Sequence, residues 1–295
     1  MLHIIHNPYA NRGGSLLYLQ AFIDLLENES VAYKTYSTNA PGHATQITKE
    51  LISAGAKKII ALGGDGTLHE VVNGIKPSDD AVLGILPAGT GNDVATMLKI
   101  PRGVQNVRQA AKPILAENIK AIDCIKETSG TSKQSVLFYS YGIAAQMVMT
   151  MDSYATKTKS SYVKSILECA FKLKPNVYRY SIDDGSLQTV TADFLGMHNC
   201  IYGGGGMVLA HEAIIDDGFA EVFIVEHKGM ARRVKNLTAL ASKKIHKQPN
   251  VKIIKAKKLK IHSADDSYCC IDGEILRTNI LELEVIKNGI KIFRE

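Results

Sequence analysis

The residues best placed to do chemistry lie in IIALGGDGTLHEVVNG (59–74), where Gly63, Gly64 and Gly66 surround Asp65 at the end of an apolar run. Glycine permits positive φ and lets backbone N–H groups approach a ligand with no Cβ in the way. Thr67 and Glu70 have the spacing of a capping box, which predicts a helix start, and the N–H groups and dipole of such a start favour an anion. A plain strand-turn-helix connection uses the same residues with no ligand at all. A second turn, LPAGTGND (86–93), supplies Gly89, Thr90 and Gly91 one unit later, with Asn92 and Asp93 read as caps of the next helix. Two such turns at neighbouring strand ends point to a joint phosphate site, and Asn7-Pro8 followed by NRGG offers a third loop. None of them is a P-loop, because no glycine-lysine pair closes a G-x-x-x-x-G-K-[ST] pattern, and no G-x-G-x-x-G fingerprint occurs.

Asp65 repels phosphate unless a divalent cation lies between them. Mg²⁺ is held by one or two carboxylates plus substrate oxygens and waters. That combination implies a nucleoside triphosphate and phosphoryl transfer, which also requires a base for the acceptor's proton. CCIDGEIL (269–276) supplies Asp272 and Glu274 around Gly273, although Asp-Gly is equally an ordinary hairpin turn. Asp216-Asp217-Gly218 is a similar turn signal.

The elements that must position these residues follow from the apolar pattern. The first 125 residues alternate strands (LHIIHN, VAYKTYST, KKIIALGG, AVLGILPAGT) with helices (SLLYLQAFIDLLENES, HATQITKELISAG, TLHEVVNGI, NDVATML). This β-α repetition predicts a parallel sheet whose ligands sit beyond the carboxyl ends of its strands, where Asn7, Gly63–Thr67 and Gly89–Asn92 all fall. In the first helix Leu19, Phe22, Ile23 and Leu26 share a face. Beyond about residue 125 short strands joined by turn signals such as Asp184-Gly185 and Asn288-Gly289 predict a mostly antiparallel β domain, interrupted by helices near Ser153–Leu173 and Met230–Lys244. The reading is two abutting domains, 1–125 and 126–280, with 281–295 returning to the first.

Composition narrows the class. In 295 residues, 45% hydrophobic and 22% charged, no segment approaches the ~20 apolar residues of a membrane span. The short apolar run at the start does not make a signal peptide, which predicts a cytoplasmic chain. The five cysteines have no zinc-knuckle spacing and read as buried thiols. The net charge of +6 suits a phosphate-bearing partner or an anionic membrane. The absence of tryptophan and of interleaved aromatics argues against nucleic acid. Eight lysines between Lys243 and Lys260, and five within the amphipathic stretch 157–174, are read either as solvated faces or as peripheral membrane contacts. No histidine is given a role, and His69 is read as facing solvent.

The motifs NPYANRGG, GGDGTLHEVVNG, LGILPAGTGNDVA, YGGGGMVLA, AIIDDGFAEV and IDGE together resemble the diacylglycerol kinase catalytic family, relatives of the sphingosine and ceramide kinases, from about residue 3 to the C-terminus. The resemblance implies an ATP-dependent lipid kinase with an α/β nucleotide-binding domain and a β-sandwich-like second domain. By position, Asn7, Gly63, Gly64, Asp65, Gly66 and Thr67 would hold ATP, and Gly89, Thr90 and Asn92 would line the cleft. Asp272 would be the base, with Glu274 beside it. Asp65, Asp93 and Asp123 would form an active-site Mg²⁺ network, and Asp217 with the carbonyls of Ile214 and Phe219 a structural Mg²⁺ site. The implied partner is a membrane lipid, most simply diacylglycerol, met by transient membrane association; the oligomeric state stays open, a homodimer included. Ser140 and His211 depart from the family's usual residues, which keeps other acceptors (phosphatidylglycerol, a sphingoid base, NAD) and a catalytically silent nucleotide- or lipid-binding regulator as alternatives.

Overall fold

The computed structural model describes residues 1–152, 168–169, 171–264 and 267–295. The chain divides into two compact units, one of Met1–Cys124, Gly204–Gly206 and Ile286–Glu295, the other of Ile125–Gly203 and Met207–Val285.

The first unit runs β1 (Leu2–His6), α1 (Gly14–Asn28), β2 (Tyr33–Ser37), α2 (His43–Ser53), β3 (Lys58–Gly63), α3 (Asp65–Val72), β4 (Val82–Pro87), α4 (Asp93–Met97) and α5 (Val107–Leu115), and takes in the first residues of β5 (Ile119–Glu127). Its strands lie side by side in the order β2-β1-β3-β4, all parallel. The central strands are nearly continuous apolar runs, as parallel strands covered on both faces must be; Ile4, Ile5, Ile59, Ile60 and Leu83 are fully buried. The buried face of α1 is Tyr18, Phe22, Leu25 and Leu26. Leu19 and Ile23 are only half-buried, because the seven-residue spacing of Tyr18 and Leu25 turns the stripe slightly away from them. Gly55, at φ +86°, stops α2 in the left-handed region, where a residue with a Cβ is strained.

The second unit continues with β6 (Gln134–Ser135), β7 (Phe138–Gly142), α6 (Ile143–Asp152), β8 (Asn176–Ile182), β9 (Gln188–His198), β10 (Tyr202–Gly203), β11 (Met207–Val208), β12 (Ala220–Glu226), α7 (Met230–Ala241), β13 (Val251–Ala256), β14 (Lys258–Ser263), β15 (Tyr268–Ile271), β16 (Glu274–Arg277) and β17 (Ile280–Phe293). Its pairings are antiparallel. The first half of β9 pairs with β8, while its second half is flanked by β7 and β12. In β14 the burial alternates strictly: Leu259, Ile261 and Ser263 point in, and Lys258, Lys260 and His262 point out. The inward residues join Tyr139, Tyr141, Leu195, Met197 and Val222 in one apolar core. β17 pairs with β14 at Ile280–Glu284 and, parallel, with β4 at Lys291 and Ile292.

Two turn signals resolve differently from the sequence pattern. The β8–β9 hairpin places its positive φ angles at Asp183 and Asp184 rather than at Gly185, whose N–H closes the turn on Ile182 O at 2.8 Å. Asn288-Gly289 is no hairpin but an irregularity within β17. Asn288 takes φ 55°, its N–H donates to Asp123 Oδ1 at 2.7 Å, and a Cβ on Gly289 would lie 2.5 Å from Cys124 Sγ. β7 ends at Gly142, whose φ of +86° and close approach to Asp193 O, where a Cβ would strike, mark the start of α6. The helix expected over Ser153–Leu173, with the amphipathic stretch 157–174, lies almost wholly outside the described residues. Among the described residues, no helix is long and apolar enough to cross a membrane.

Candidate active site

Three loops meet at the carboxyl ends of β1, β3 and β4 in the first unit. Asn7, just past β1, donates from Nδ2 to Thr67 Oγ1 at 3.3 Å and accepts Tyr9 N–H at 3.0 Å, tying the first loop to the second. The β3–α3 and β4–α4 turns touch through backbone: a Cβ on Gly89 would run into Gly64 Cα, and one on Gly64 would come within 3.2 Å of Gly89 Cα. This contact is what two glycines in facing turns permit and no other residue type would. Asn92 closes the second turn in both directions, accepting Gly89 N–H at 3.0 Å and donating to Gly89 O at 2.8 Å. Thr90 is exposed at its tip and Gly91 is half-buried.

The helix starts are built differently from the capping patterns in the sequence. α3 begins at Asp65 with Gly64 as its cap, and no side chain caps it. Thr67 is instead spent on Asn7, and Glu70 accepts Ala44 N–H from α2 at 2.9 Å. Asn92, at φ 56°, sits at the start of α4 without a side-chain cap, since its amide is committed to Gly89. The start of α4 is held by Asp65: its Oδ1 accepts Asp93 N–H at 2.8 Å and lies 3.5 Å from Val94 N. A carboxylate accepting the first helical N–H groups does the work of an N-cap, at roughly 1 kcal/mol. Asp65 is thus a brace between the two glycine turns.

Asp93 lies beside it, 2% exposed, with Oδ2 accepting Gly205 N–H at 2.9 Å. Burial, then the like charge of Asp93, push the Asp65 carboxyl up to about 7, against the pull of the α4 N–H groups. Asp93 is itself raised by burial, offset by the Gly205 and Gly206 N–H groups and by Arg102. Arg102 donates from Nη2 to Gly91 O at 2.5 Å, to Asn92 O at 2.8 Å and to Thr96. Beneath these loops is a small pocket lined by Gly64, Asp65, Leu68, Asn92 and Ala95. His69 is buried at 2% exposure, its ring 3.2 Å from the Asn73 amide, and does not face solvent. Asp123 is fully buried and accepts Asn288 N–H.

In the second unit Asp272 and Gly273 both take positive φ, 50° and 100°, in the tight turn between β15 and β16. Asp272 is 8% exposed, and its Oδ1 accepts Phe138 N–H at 2.9 Å and the Ser135 hydroxyl. Glu274 accepts from Lys133 Nζ at 2.6 Å. Asp217 is committed on both oxygens, one to Phe219 N–H at 3.0 Å and the other to Lys255 Nζ at 2.9 Å. Ile214 is exposed and Phe219 lies under Lys257 Nζ, 5.1 Å from its ring centroid. Lys252, Lys258 and Lys260 likewise face Glu226, Asp184 and Glu282, so this lysine-rich face is largely neutralised. Ser140 is fully buried in β7, its hydroxyl without a hydrogen-bond partner among the described residues, and His211 stacks on His246 at 3.8 Å.

Sequence reasoning missed Arg102, Ser135, Lys133 and the role of Gly205. The glycine run 203–206 was visible as a motif; its bond to Asp93, 112 residues away, was not. Among the described residues no three of His, Cys, Asp and Glu converge as a metal cluster.

Comparison with known proteins gives these units a class. A family model of the diacylglycerol kinase catalytic domain matches residues 1–126, and one of the YegS C-terminal NAD kinase beta sandwich-like domain matches residues 138–294. A diacylglycerol kinase from Staphylococcus saprophyticus is 32% identical over 98% of this chain and 94% of its own. One from Bacillus subtilis is 29% identical over 92% and 88%. A crystal structure of a diacylglycerol kinase from Bacillus anthracis matches with a TM-score of 0.73 at 22% identity, covering 100% of this chain and 96% of that one. An Archaeoglobus fulgidus NAD kinase in complex with ATP matches at 0.58 and 9%, covering 100% and 94%. The last two likenesses speak to fold alone: an α/β nucleotide-binding domain followed by a β-sandwich-like domain. The chain belongs to the diacylglycerol kinase family.

Proposed function

We propose that this kinase transfers the γ-phosphate of ATP to the hydroxyl of a membrane lipid, with diacylglycerol as the acceptor. The observation that carries the reading is the pair of glycine turns in backbone contact, Gly64 against Gly89, braced by Asp65. Such turns present N–H groups to a polyphosphate with no side chain in the way. Gly63, Gly66, Thr67, Thr90 and Asn92 complete the cradle, and Asn7 holds Thr67 beside it.

The donor set of the turns fits a divalent cation. Two neighbouring carboxylates, one raised to about 7 by burial and by the charge of the other, are what a cation between them would relieve. Asp65 and Asp93 would hold Mg²⁺, which would supply positive charge to neutralise the phosphates. Asp123 is committed to the irregularity in β17, which leaves Asp65 and Asp93 for the cation. The second-unit set does not fit, because Lys255 already neutralises Asp217.

Asp272 is the base for the acceptor hydroxyl, and Glu274 stands beside it in the same turn. Two donors fix the Asp272 carboxylate, so it meets the hydroxyl already oriented. A lipid acceptor places the reaction at a membrane surface, which a chain acting from the cytoplasm would visit transiently.

The test is transfer of label from γ-labelled ATP, with Mg²⁺, into mixed micelles containing diacylglycerol, phosphatidylglycerol or a sphingoid base, with NAD assayed separately. Labelled phosphatidic acid is expected. Label in another acceptor would replace the lipid, and no label in any would contradict the kinase reading.

A further inference from the structure

The Asp272 carboxylate is gripped from outside its own turn. An aspartate in a left-handed turn commonly folds its side chain back onto neighbouring backbone. Here Oδ1 is taken by groups 134 and 137 residues earlier in the chain, Phe138 N–H and the Ser135 hydroxyl. The backbone joins in, with Asp272 N–H donating to Phe138 O at 3.3 Å. The β6–β7 segment therefore grips the turn at both the main chain and the carboxylate.

Ser135 is fully buried, and its hydroxyl is itself oriented. A serine hydroxyl has one proton to donate and lone pairs to accept. Leu137 N–H donates to Ser135 Oγ at 3.1 Å, which directs the proton at Asp272 Oδ1. The chain thus spends a buried hydroxyl, with both functions in use, on a carboxylate at the edge of solvent. A hairpin that needed only to stay closed has the β15–β16 ladder for that purpose.

We propose that Ser135 is the positioning residue of the Asp272 base, holding the carboxylate in the orientation that meets the acceptor hydroxyl. This rests on the reading of Asp272 as the base. Ser135 itself touches no substrate. Without the Ser135 hydroxyl, Asp272 keeps the Phe138 N–H but loses a donor to Oδ1 that helps to orient the carboxylate. Misplacement of a reacting group by about an ångström costs on the order of 100-fold in rate. The cost falls on turnover, because ATP is held by other loops.

The experiment is steady-state label transfer by the full chain carrying Ser135→Ala, Ser135→Thr or Asp272→Asn, with ATP varied, beside thermal unfolding of each. Ser135→Ala is expected to lower kcat by about 10- to 100-fold while KM for ATP stays within about twofold. Ser135→Thr, which keeps the hydroxyl, is expected to recover most of the loss. If Ser135→Ala does not fold, Ser135→Thr against Ser135→Val compares the same volume with and without the hydroxyl, and the kcat difference is expected between those two. An unchanged kcat in Ser135→Ala, or in Ser135→Val should that pair be needed, overturns the proposal. So does a threonine variant as poor as its hydroxyl-free counterpart, or a KM for ATP that rises in step with the loss. An active Asp272→Asn overturns the base and this inference together. An inactive Asp272→Asn beside an unimpaired hydroxyl-free variant overturns the inference alone.

Discussion

Asp65 and Asp272 occupy similar places in the sequence. Each follows an apolar strand and stands beside glycine, yet the chain uses them in opposite ways. Asp65 braces its surroundings: its Oδ1 accepts the first N–H of α4 and joins the two glycine turns. Asp272 is braced by its surroundings, gripped through Oδ1 by Ser135 and Phe138 while its own backbone bends through a left-handed turn. The first sits beside a like charge, the second beside neutral donors. A carboxylate crowded by another carboxylate suits a cation and phosphates, whereas one aimed by hydroxyl and amide suits a proton. Under the proposed function the same Asp-Gly signal would serve two kinds of chemistry, with the neighbours deciding which.

The comparison can be broken first at the contact between the glycine turns. Gly89→Ala drives a Cβ into Gly64 backbone, which cannot yield as a side chain would. The expected result is a loss of about 1–3 kcal/mol of stability and, with the cradle forced open, a weakening of ATP binding by more than tenfold, read by calorimetric titration. Retained affinity would mean that the turns do not hold the phosphates.

A second test separates the charge of Asp65 from its role as a brace. Asp65→Asn keeps an oxygen for the α4 N–H groups and removes the charge. The folded carboxyl titrates near 7 against 3.8 for the free group. Between those values the folded chain holds a proton that the unfolded chain has lost, so stability falls as pH rises across that window. In chelator, Asp65→Asn is expected to melt a few degrees above the parent at pH 8, with the gap closing near pH 4. Adding Mg²⁺ at pH 8 is expected to raise the midpoint of the parent and not of the variant. An identical Mg²⁺ response in both would remove Asp65 from the cation site.

The smallest effect is expected at Gly205. Its φ is +84°, but nothing lies within 4 Å of a built Cβ. Gly205→Ala then costs only the left-handed backbone, about 1–2 kcal/mol, and kcat/KM is expected to fall less than tenfold. A loss as large as that of Gly89→Ala would show that this loop, too, needs an open approach.

The parallel first sheet and the strand-end placement of Asn7, Gly63–Thr67 and Gly89–Asn92 were legible because apolar runs and glycine punctuation are local signals. What those residues bond to was not. Thr67 and Glu70 read as a capping box, but Thr67 bonds Asn7, 60 residues back, and Glu70 bonds Ala44, 26 back. Asp65 reads as an odd charge beside phosphate until its partner 28 residues on is seen to be the start of a helix. Ser135 carries no signal at all, since one serine in a polar stretch resembles any other. Propensity reaches about one helical turn, while the tertiary contacts that set these roles span tens to more than a hundred residues.

The proposed function divides the labour: the glycine turns would hold ATP and the Asp272 turn would move the proton. The most direct measurement is Asp272→Asn, assayed for ATP affinity by titration and for lipid phosphorylation by label transfer on the same preparation. Unchanged affinity is expected, with transfer lowered by about 10²–10⁴-fold. Transfer at the parent rate, or affinity lost along with it, would contradict the division.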